Sequence, residues 1–502
     1  MKKPISTTRT VCLSASGCTI DFLPWELSRS SLLISPILQL LHRHQLAQNL
    51  RVELFNGVPD FELRLVAEAI TAPSSQWPDN YQRLEFMGDS LLKFFISNHF
   101  FHQYPLWHEG YLSRLRDLLV SNERLSIAAV RVQLDRFICT DFISQNHPVF
   151  SPATDSVNGK RLSRKCFADI VEALLAAAYE AGGLLVSRKL LGKFLPEISS
   201  YTLISQRQPA QGEQFSARLE IKIEQLLGYK FKDRTLIWEA LTHPSWQRNK
   251  STSSYQRLEF LGDAILDIIV TKKLYDRRPK LTEGRMTQIR AALVNADFLS
   301  FLCMQEFILN GPHCREQTAL EELSIFNRPK SHALWMFMRH DSQDILTAQK
   351  SCNKRYQIFG DKIKEDLGSG RSYPWAELSR LEASKFYSDL IESIVGAIFI
   401  DSRCSLDACG AFLERMNLTL YLERFHEQDV LLEHPVSAFK RKFGACKADL
   451  RVSEAKDGLY TASIWLESEI VATVDDCVSR NQAFVRGADA ALALLSTDLL
   501  PE

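Results

Sequence analysis

Residues Tyr81–Ser90 read YQRLEFMGDS and residues Tyr255–Ala264 read YQRLEFLGDA, so the stretch recurs with changes only at Met87/Leu261 and Ser90/Ala264. Both copies run on into apolar sequence of helical spacing, LLKFFIS in the first and ILDIIVT in the second. Such self-similarity marks a structural unit used twice.

The repeat extends in both directions. Upstream, ELRLVAEAITAPS from Glu62 has its counterpart in LIWEALTHPS at Leu236–Ser245. Downstream, GYLSRLRDLLVSN at Gly110–Asn122 matches GRMTQIRAALVNA at Gly284–Ala296, and KCFADIVEALLAAAYEAGG from Lys165 matches KFYSDLIESIVGAIFIDS from Lys385. Nearly all of these segments carry helical periodicity. The spacing therefore predicts a mainly α protein with two tandem all-helical domains, residues 51–199 and 218–425, joined by a polar linker over 200–217 that holds Pro209 and Gly212.

Asp89 and Asp169 lie 80 residues apart but Asp263 and Asp389 lie 126 apart, so the second copy holds 46 extra residues. They fall between about 303 and 375, a stretch rich in Lys, Arg, His and Ser with poor periodicity, read as a surface excursion or a basic surface for a polyanion. Residues 1–50 have no counterpart; Leu32–Leu50 is expected as one amphipathic helix with Leu38, Leu40, Leu41, Leu46 and Leu50 feeding a core. After Glu433 the pattern changes. HPVSAFKRKFGA reads as helix, Asp449–Asp476 as three alternating strands with a turn at Asp457-Gly458, and Arg480–Leu495 as an Ala-rich helix, giving a small α-β-β-β-α domain over 434–502.

Sixty Lys and Arg balance sixty Asp and Glu, so a nucleic-acid partner would have to be held by local patches. Eleven scattered cysteines without a CxxC pair point to reduced thiols. The polar start after Lys2 and Lys3 lacks a signal-peptide core, and Leu32–Leu41 is too short to span a bilayer. An intracellular protein, cytoplasmic or nuclear, with no membrane partner is the expectation.

In each signature a Glu and an Asp stand four apart, Glu85 with Asp89 and Glu259 with Asp263, on one face of a helix. The later acidic helix adds Asp169 with Glu172 and Asp389 with Glu392. If the two helices pack together, four carboxylates converge in each domain, which mutual repulsion disfavours unless a cation neutralises them. All-oxygen donors suit Mg²⁺ or Mn²⁺ better than zinc, and two such ions can activate water and stabilise a leaving oxygen in phosphodiester hydrolysis. One acidic pair alone would read as a solvated helix face; its recurrence among Leu84, Phe86 and Leu91, and among Leu258, Phe260 and Ile265, argues against that.

The form RLEF(M/L)GD(S/A), followed by K-x-x-(A/S)-D-x-x-E, resembles the signature of the ribonuclease III family, and two copies followed by an α-β-β-β-α domain resemble the C-terminal half of Dicer proteins, fungal ones in particular. The resemblance covers roughly residues 30–500 and implies that all eight acids hold Mg²⁺ or Mn²⁺, that the domains pair as an internal pseudo-dimer over one double-stranded RNA, and that each cuts one strand. The products would carry 5′-phosphate, 3′-hydroxyl and a two-nucleotide 3′ overhang, and would serve RNA-mediated gene silencing, antiviral defence included. It also places Phe86 and Phe260 where an aromatic plugs the partner domain, though ordinary helix core remains the alternative. Lys165 and Lys385, four residues before Asp169 and Asp389, would steady the carboxylate or meet the scissile phosphate; a simple helix ion pair is the alternative. Glu109 and Glu283 match a supporting acid.

Two departures stand out. The first acidic helix ends AAAYEAGG where the second keeps GAIFIDS, with Ala176 against Gly396 at a small-residue packing position. The last domain resembles a double-stranded-RNA-binding domain, but its second helix opens Arg480-Asn481-Gln482-Ala483-Phe484, and residues 434–502 hold eight Lys and Arg against ten Asp and Glu. Weak RNA binding is expected, with a protein contact as the other role. No GxxxxGK(S/T) loop is present, and by the resemblance the pocket that anchors an RNA end would lie upstream of residue 1, so a truncated chain that cleaves without ATP and with loose product length is expected. The rival expectation is a folded but catalytically silent RNA- or protein-binding remnant.

Overall fold

The computed structural model of the chain describes residues 24–31, 33–56, 62–140, 162–198, 217–247, 253–308, 331–443, 448–454, 458–466 and 469–498. The polar N-terminal segment, nearly all of the linker and residues 309–330 of the insertion lie outside these.

The first helical domain is built from helices Ile34–Leu54, Leu63–Ala69, Gln82–Gln103, Glu109–Val120, Asn122–Arg131 and Arg164–Phe194. The second repeats this order with Ala217–Leu227, Thr235–Ala240, Gln256–Tyr275, Glu283–Leu293, Ala296–Met304 and Phe386–Asp401, then adds Leu406–Arg415 and Leu418–Glu427. Gln82–Gln103 and Gln256–Tyr275 are the signature helices; Arg164–Phe194 and Phe386–Asp401 are the acidic helices.

Each signature helix is buried on more than one side, Leu84, Met87, Leu91 and Phe94 in the first and Leu258, Leu261, Ile265 and Ile268 in the second being enclosed. It packs on its own acidic helix and on the other signature helix, so one continuous apolar core runs through both domains. The acidic helix Arg164–Phe194 is long and apolar enough to cross a membrane, yet Ala168–Ala178 is buried within this core and carries Asp169 and Glu172. Its course breaks at Gly182 and Gly183, the latter with φ +68, a conformation that favours glycine. The AGG ending is thus a kink that redirects Leu184–Phe194.

Two arginines from the repeated motif tie the domains together. Arg83 donates to Tyr275 O at 3.1 Å and to Leu281 O, and Arg257 donates to Phe101 O at 2.7 Å and Tyr104 O at 2.8 Å. Each guanidinium thus caps the carbonyl end of the other domain's signature helix, where cations are favoured.

Two expectations are corrected. Leu38, Leu40 and Leu41 do not feed a core: on the Ile34–Leu54 helix the buried residues are Arg43, Ala47, Leu50 and Leu54, while Leu41 is 60% exposed. The buried face is set by Arg43, which donates to Ala67 O at 3.4 Å and Asp79 O at 3.2 Å and so turns the leucines outward. The insertion is not an irregular excursion throughout, because Gln343–Ser369 forms a 27-residue helix with Ile345, Cys352, Ile363 and Leu367 buried on the second domain. Its charged exposed face concealed that sparse apolar stripe.

Strands β1 (Phe307–Ile308) and β2 (Ser331–His332) form a short antiparallel pair. The C-terminal domain has helix Pro435–Phe443, an antiparallel sheet of β3 (Ala448–Glu454), β4 (Tyr460–Leu466) and β5 (Glu469–Cys477) in that order, and helix Arg480–Asp498. The first turn of that last helix is docked on the second helical domain. Ser479 donates to Glu382 Oε1 at 2.8 Å, and buried Gln482 donates to Ser379 O at 3.4 Å.

Candidate metal centres

Gly88 is where the first signature helix meets its acidic helix: a Cβ there would lie 1.9 Å from Glu172 O, so only glycine permits the approach. One turn earlier on each helix stand Glu85 and Asp169. In the second domain a Cβ at Gly262 would lie 1.7 Å from Glu392 O and one at Gly396 2.3 Å from Leu258 O. The contact between backbones thus sets the separation of the side chains.

Among the described residues, Glu85, Asp169 and Glu172 form one carboxylate group and Glu259, Asp389 and Glu392 another, each with one oxygen per residue all within 4.8 Å. Burial, then Asp169, pushes Glu85 up to about 7, and burial with Asp389 does the same to Glu259. Glu172 and Glu392 are driven well above the ordinary range, by burial first and by neighbouring acids second. Carboxyls crowded out of water in this way are only partly compensated by nearby positive charge.

The cation at hand is a lysine. Lys165 Nζ lies 2.9 Å from Asp169 Oδ1 and 3.4 Å from Glu85 Oε1; Lys385 Nζ lies 2.8 Å from Asp389 Oδ1 and also bonds Glu259. Burial pulls each ammonium down, but these bonds outweigh it and hold both above the ordinary lysine value. Each lysine bridges the two helices, which exceeds a simple ion pair along one helix. Tyr81 OH donates to Asp169 Oδ2 at 3.1 Å and Tyr255 OH to Asp389 Oδ2 at 3.2 Å. These tyrosines open the repeated motif, yet nothing in their spacing revealed the role.

Asp89 and Asp263 stand outside the groups of three. Arg290 Nη1, from the second domain, lies 3.3 Å from Asp89 Oδ2, and the same guanidinium stacks 4.4 Å over the Phe86 ring. Arg116, from the first domain, lies 3.1 Å from Asp263 Oδ2 and 5.2 Å over the Phe260 ring. Lys93 adds a second cation to Asp263 at 3.0 Å. Burial opposes the charge on Asp263, but Lys93 and Arg116 bring its pKa below the ordinary value; for Asp89 burial prevails over Arg290 and raises it. Phe86 and Phe260 therefore sit at the domain boundary, each beneath an arginine of the other domain.

Glu109 and Glu283 act across the same boundary. Glu283, from the second domain, lines a cavity of about 400 Å³ with Tyr81, Glu85, Lys165 and Asp169 of the first and helps raise Glu85, while Glu109 does so for Glu259. The ribonuclease III domain family matches residues 82–183 and 256–403, the two segments that carry these groups. The chain belongs to the ribonuclease III family.

Among relatives, it is 36% identical over 507 residues to "Dicer-like protein 2" of Aspergillus fumigatus and 38% identical over 492 residues to that of Aspergillus terreus. These alignments take in 99% and 96% of this chain but 36% and 35% of the relatives, so the chain spans about a third of their length. A solved Dicer from Giardia overlaps 68% of this chain and 54% of its own at 14% identity and a TM-score of 0.37, a likeness too remote to guide the placement of any residue. Membership of the ribonuclease III family implies a divalent cation, and the all-oxygen, under-neutralised carboxylate groups fit one.

Proposed function

We propose that the chain is an endoribonuclease that cuts the two strands of double-stranded RNA, one at each carboxylate centre. The carrying observation is that the same three-carboxylate group is built twice on one continuous core. Two copies related by a pseudo-two-fold axis match two antiparallel strands.

In this reading Glu85, Asp169 and Glu172 hold Mg²⁺ or Mn²⁺ at the first centre and Glu259, Asp389 and Glu392 at the second, with Asp89 and Asp263 completing them at the domain boundary. Bound divalent ions supply charge stabilisation at phosphorus and a water of lowered pKa. Tyr81 and Tyr255 fix the orientation of Asp169 and Asp389. Lys165 and Lys385 neutralise the acids when no metal is held and are placed to contact a phosphate once displaced. Products with 5′-phosphate, 3′-hydroxyl and a two-nucleotide 3′ overhang, used as short interfering RNA in gene silencing and antiviral defence, complete the proposal.

The C-terminal domain we assign mainly to packing. The start of its last helix, where a lysine-rich RNA grip would stand, is engaged by Ser379 and Glu382 of the second nuclease domain.

Labelled double-stranded RNA with Mn²⁺ or with EDTA tests the reading. Wild type should cleave only with metal, and Asp169→Asn and Asp389→Asn should each leave a nicked duplex. A folded wild type that binds RNA and never cuts it would favour a silent remnant.

A further inference from the structure

Each residue of the first signature helix has its counterpart 174 positions on, as Tyr81 and Tyr255 show. Lys93 therefore corresponds to Asp267, and the two copies carry opposite charges at one position. The signature helices pack on each other, and the reciprocal pairs Arg290–Asp89 with Arg116–Asp263 and Arg83–Tyr275 with Arg257–Phe101 relate the two copies by a pseudo-two-fold axis, across which Lys93 meets its own counterpart. Lys93 Nζ lies 3.8 Å from Asp267 Oδ2, with only 26% and 11% of the two side chains exposed.

We propose that Lys93 and Asp267 form a polarity lock that makes unlike nuclease domains pair within the chain and disfavours pairing of like domains between two chains.

The charges at the axis carry this. Three cations, Lys93, Arg116 and Arg290, interlock with three anions, Asp89, Asp263 and Asp267, through pairs of 3.0 to 3.8 Å. The cluster is neutral. By the same symmetry, two first domains would bring together two each of Lys93, Arg116 and Asp89, leaving two positive charges unmatched. Two second domains would bring together two each of Arg290, Asp263 and Asp267, leaving two negative charges unmatched. Uncompensated charge in a partly buried interface opposes association. Specificity arises as much from the repelled alternatives as from the pair itself.

The Ser90/Ala264 change belongs to the same device. Ser90 Oγ lies 3.1 Å from Asp267 Oδ2 and 2.8 Å from Thr271 Oγ1. Opposite, Ala264 offers no hydroxyl, and Ser97, the counterpart of Thr271, is buried with its Oγ unpartnered among the described residues. The hydroxyl network is one-sided: Ser90 links Asp267, Thr271 and Arg290, which donates to Ser90 Oγ at 3.0 Å, and Ala264 offers no counterpart. The lock rests on the domain pairing and not on any catalytic assignment.

The test uses the full chain without RNA. Lys93→Asp should leave two negative charges unmatched at the axis and Asp267→Lys two positive ones, so each should lower the melting temperature by several degrees. The double exchange restores neutrality and should recover most of the loss. An equimolar mixture of the two single variants makes both cross-chain pairings neutral and should give a two-chain species in sedimentation that neither variant gives alone. Should a single variant fail to fold, recovery in the double exchange and in the mixture still reads the lock. A double exchange no more stable than the two losses combined, or a mixture that sediments as its separate components, would overturn the proposal.

Discussion

Arg290 of the second nuclease domain lies 4.4 Å over the ring of Phe86 in the first, and its counterpart Arg116 covers Phe260 at 5.2 Å. Each arginine also holds an aspartate, so one side chain joins the apolar boundary to the acidic centre. Arg290→Ala should remove a desolvated cation–π contact and leave Asp89 unpaired, costing about 1–3 kcal/mol. Lysine should rescue only in part, because it does not reproduce the planar stack. Thermal unfolding of both variants checks this; full rescue by lysine would show that charge alone matters.

At the small-residue contact, Gly396→Ala should destabilise the second domain by about 3 kcal/mol or more, since the added Cβ meets backbone and not a yielding side chain. The first domain already accommodates buried Ala176 there, so Ala176→Gly should cost only about 1 kcal/mol from helix propensity. Denaturant midpoints of the pair decide whether the copies pack differently.

Glu85 and Glu259, raised to about 7 by burial and by Asp169 or Asp389, make stability depend on pH. Their folded pKa exceeds the unfolded value of about 4.3. Their contribution is therefore fully present below about pH 4 and is lost as pH rises through about 7. Without metal, the melting temperature should fall between pH 5 and 8. Mn²⁺ should reverse the trend, since binding needs the ionised acids, and at a hundredfold excess over its Kd should add about 2.7 kcal/mol. Melting curves in EDTA and in Mn²⁺ across this range give the answer; equal metal gain at pH 5 and pH 8 would contradict it.

Lys385 joins Asp389 and Glu259. Lys385→Met should therefore bind Mn²⁺ several-fold more tightly, as metal then displaces no cation, while cleavage at the second centre slows. Calorimetric titration without RNA separates the two effects.

Tyr255→Phe removes the hydroxyl 3.2 Å from Asp389 and nothing else. A loss of about 1 kcal/mol in orienting the carboxylate should slow cutting of one strand about fivefold and leave the other strand and the fold unchanged. Strand-specific labels read the ratio directly.

The sequence revealed much of this arrangement because helical spacing and duplication are local properties. Asp169 and Glu172 are legible as a pair three apart, and their copies at Asp389 and Glu392 confirm the pattern. Tyr81, Arg83, Arg116 and Lys93 were not legible as site residues. Each acts on a group at least 88 residues away, and their only signal was retention, or in Lys93 reversal, between the copies.

By itself the sequence determined the tandem helical domains, the small α-β-β-β-α domain and the placing of each acid pair on one helix face, since 3.6-residue periodicity is local. That three of the four expected acids group in each domain was decided by the close backbone contacts at Gly88 and Gly262. Only the tertiary structure decided that Asp89 and Asp263, while close to Glu172 and Glu392, also pair with arginines of the opposite domain. Four residues along a helix advance about 6 Å while preserving its face. That face is shared, Glu85 meeting its own acidic helix and Asp89 meeting Arg290 across the axis.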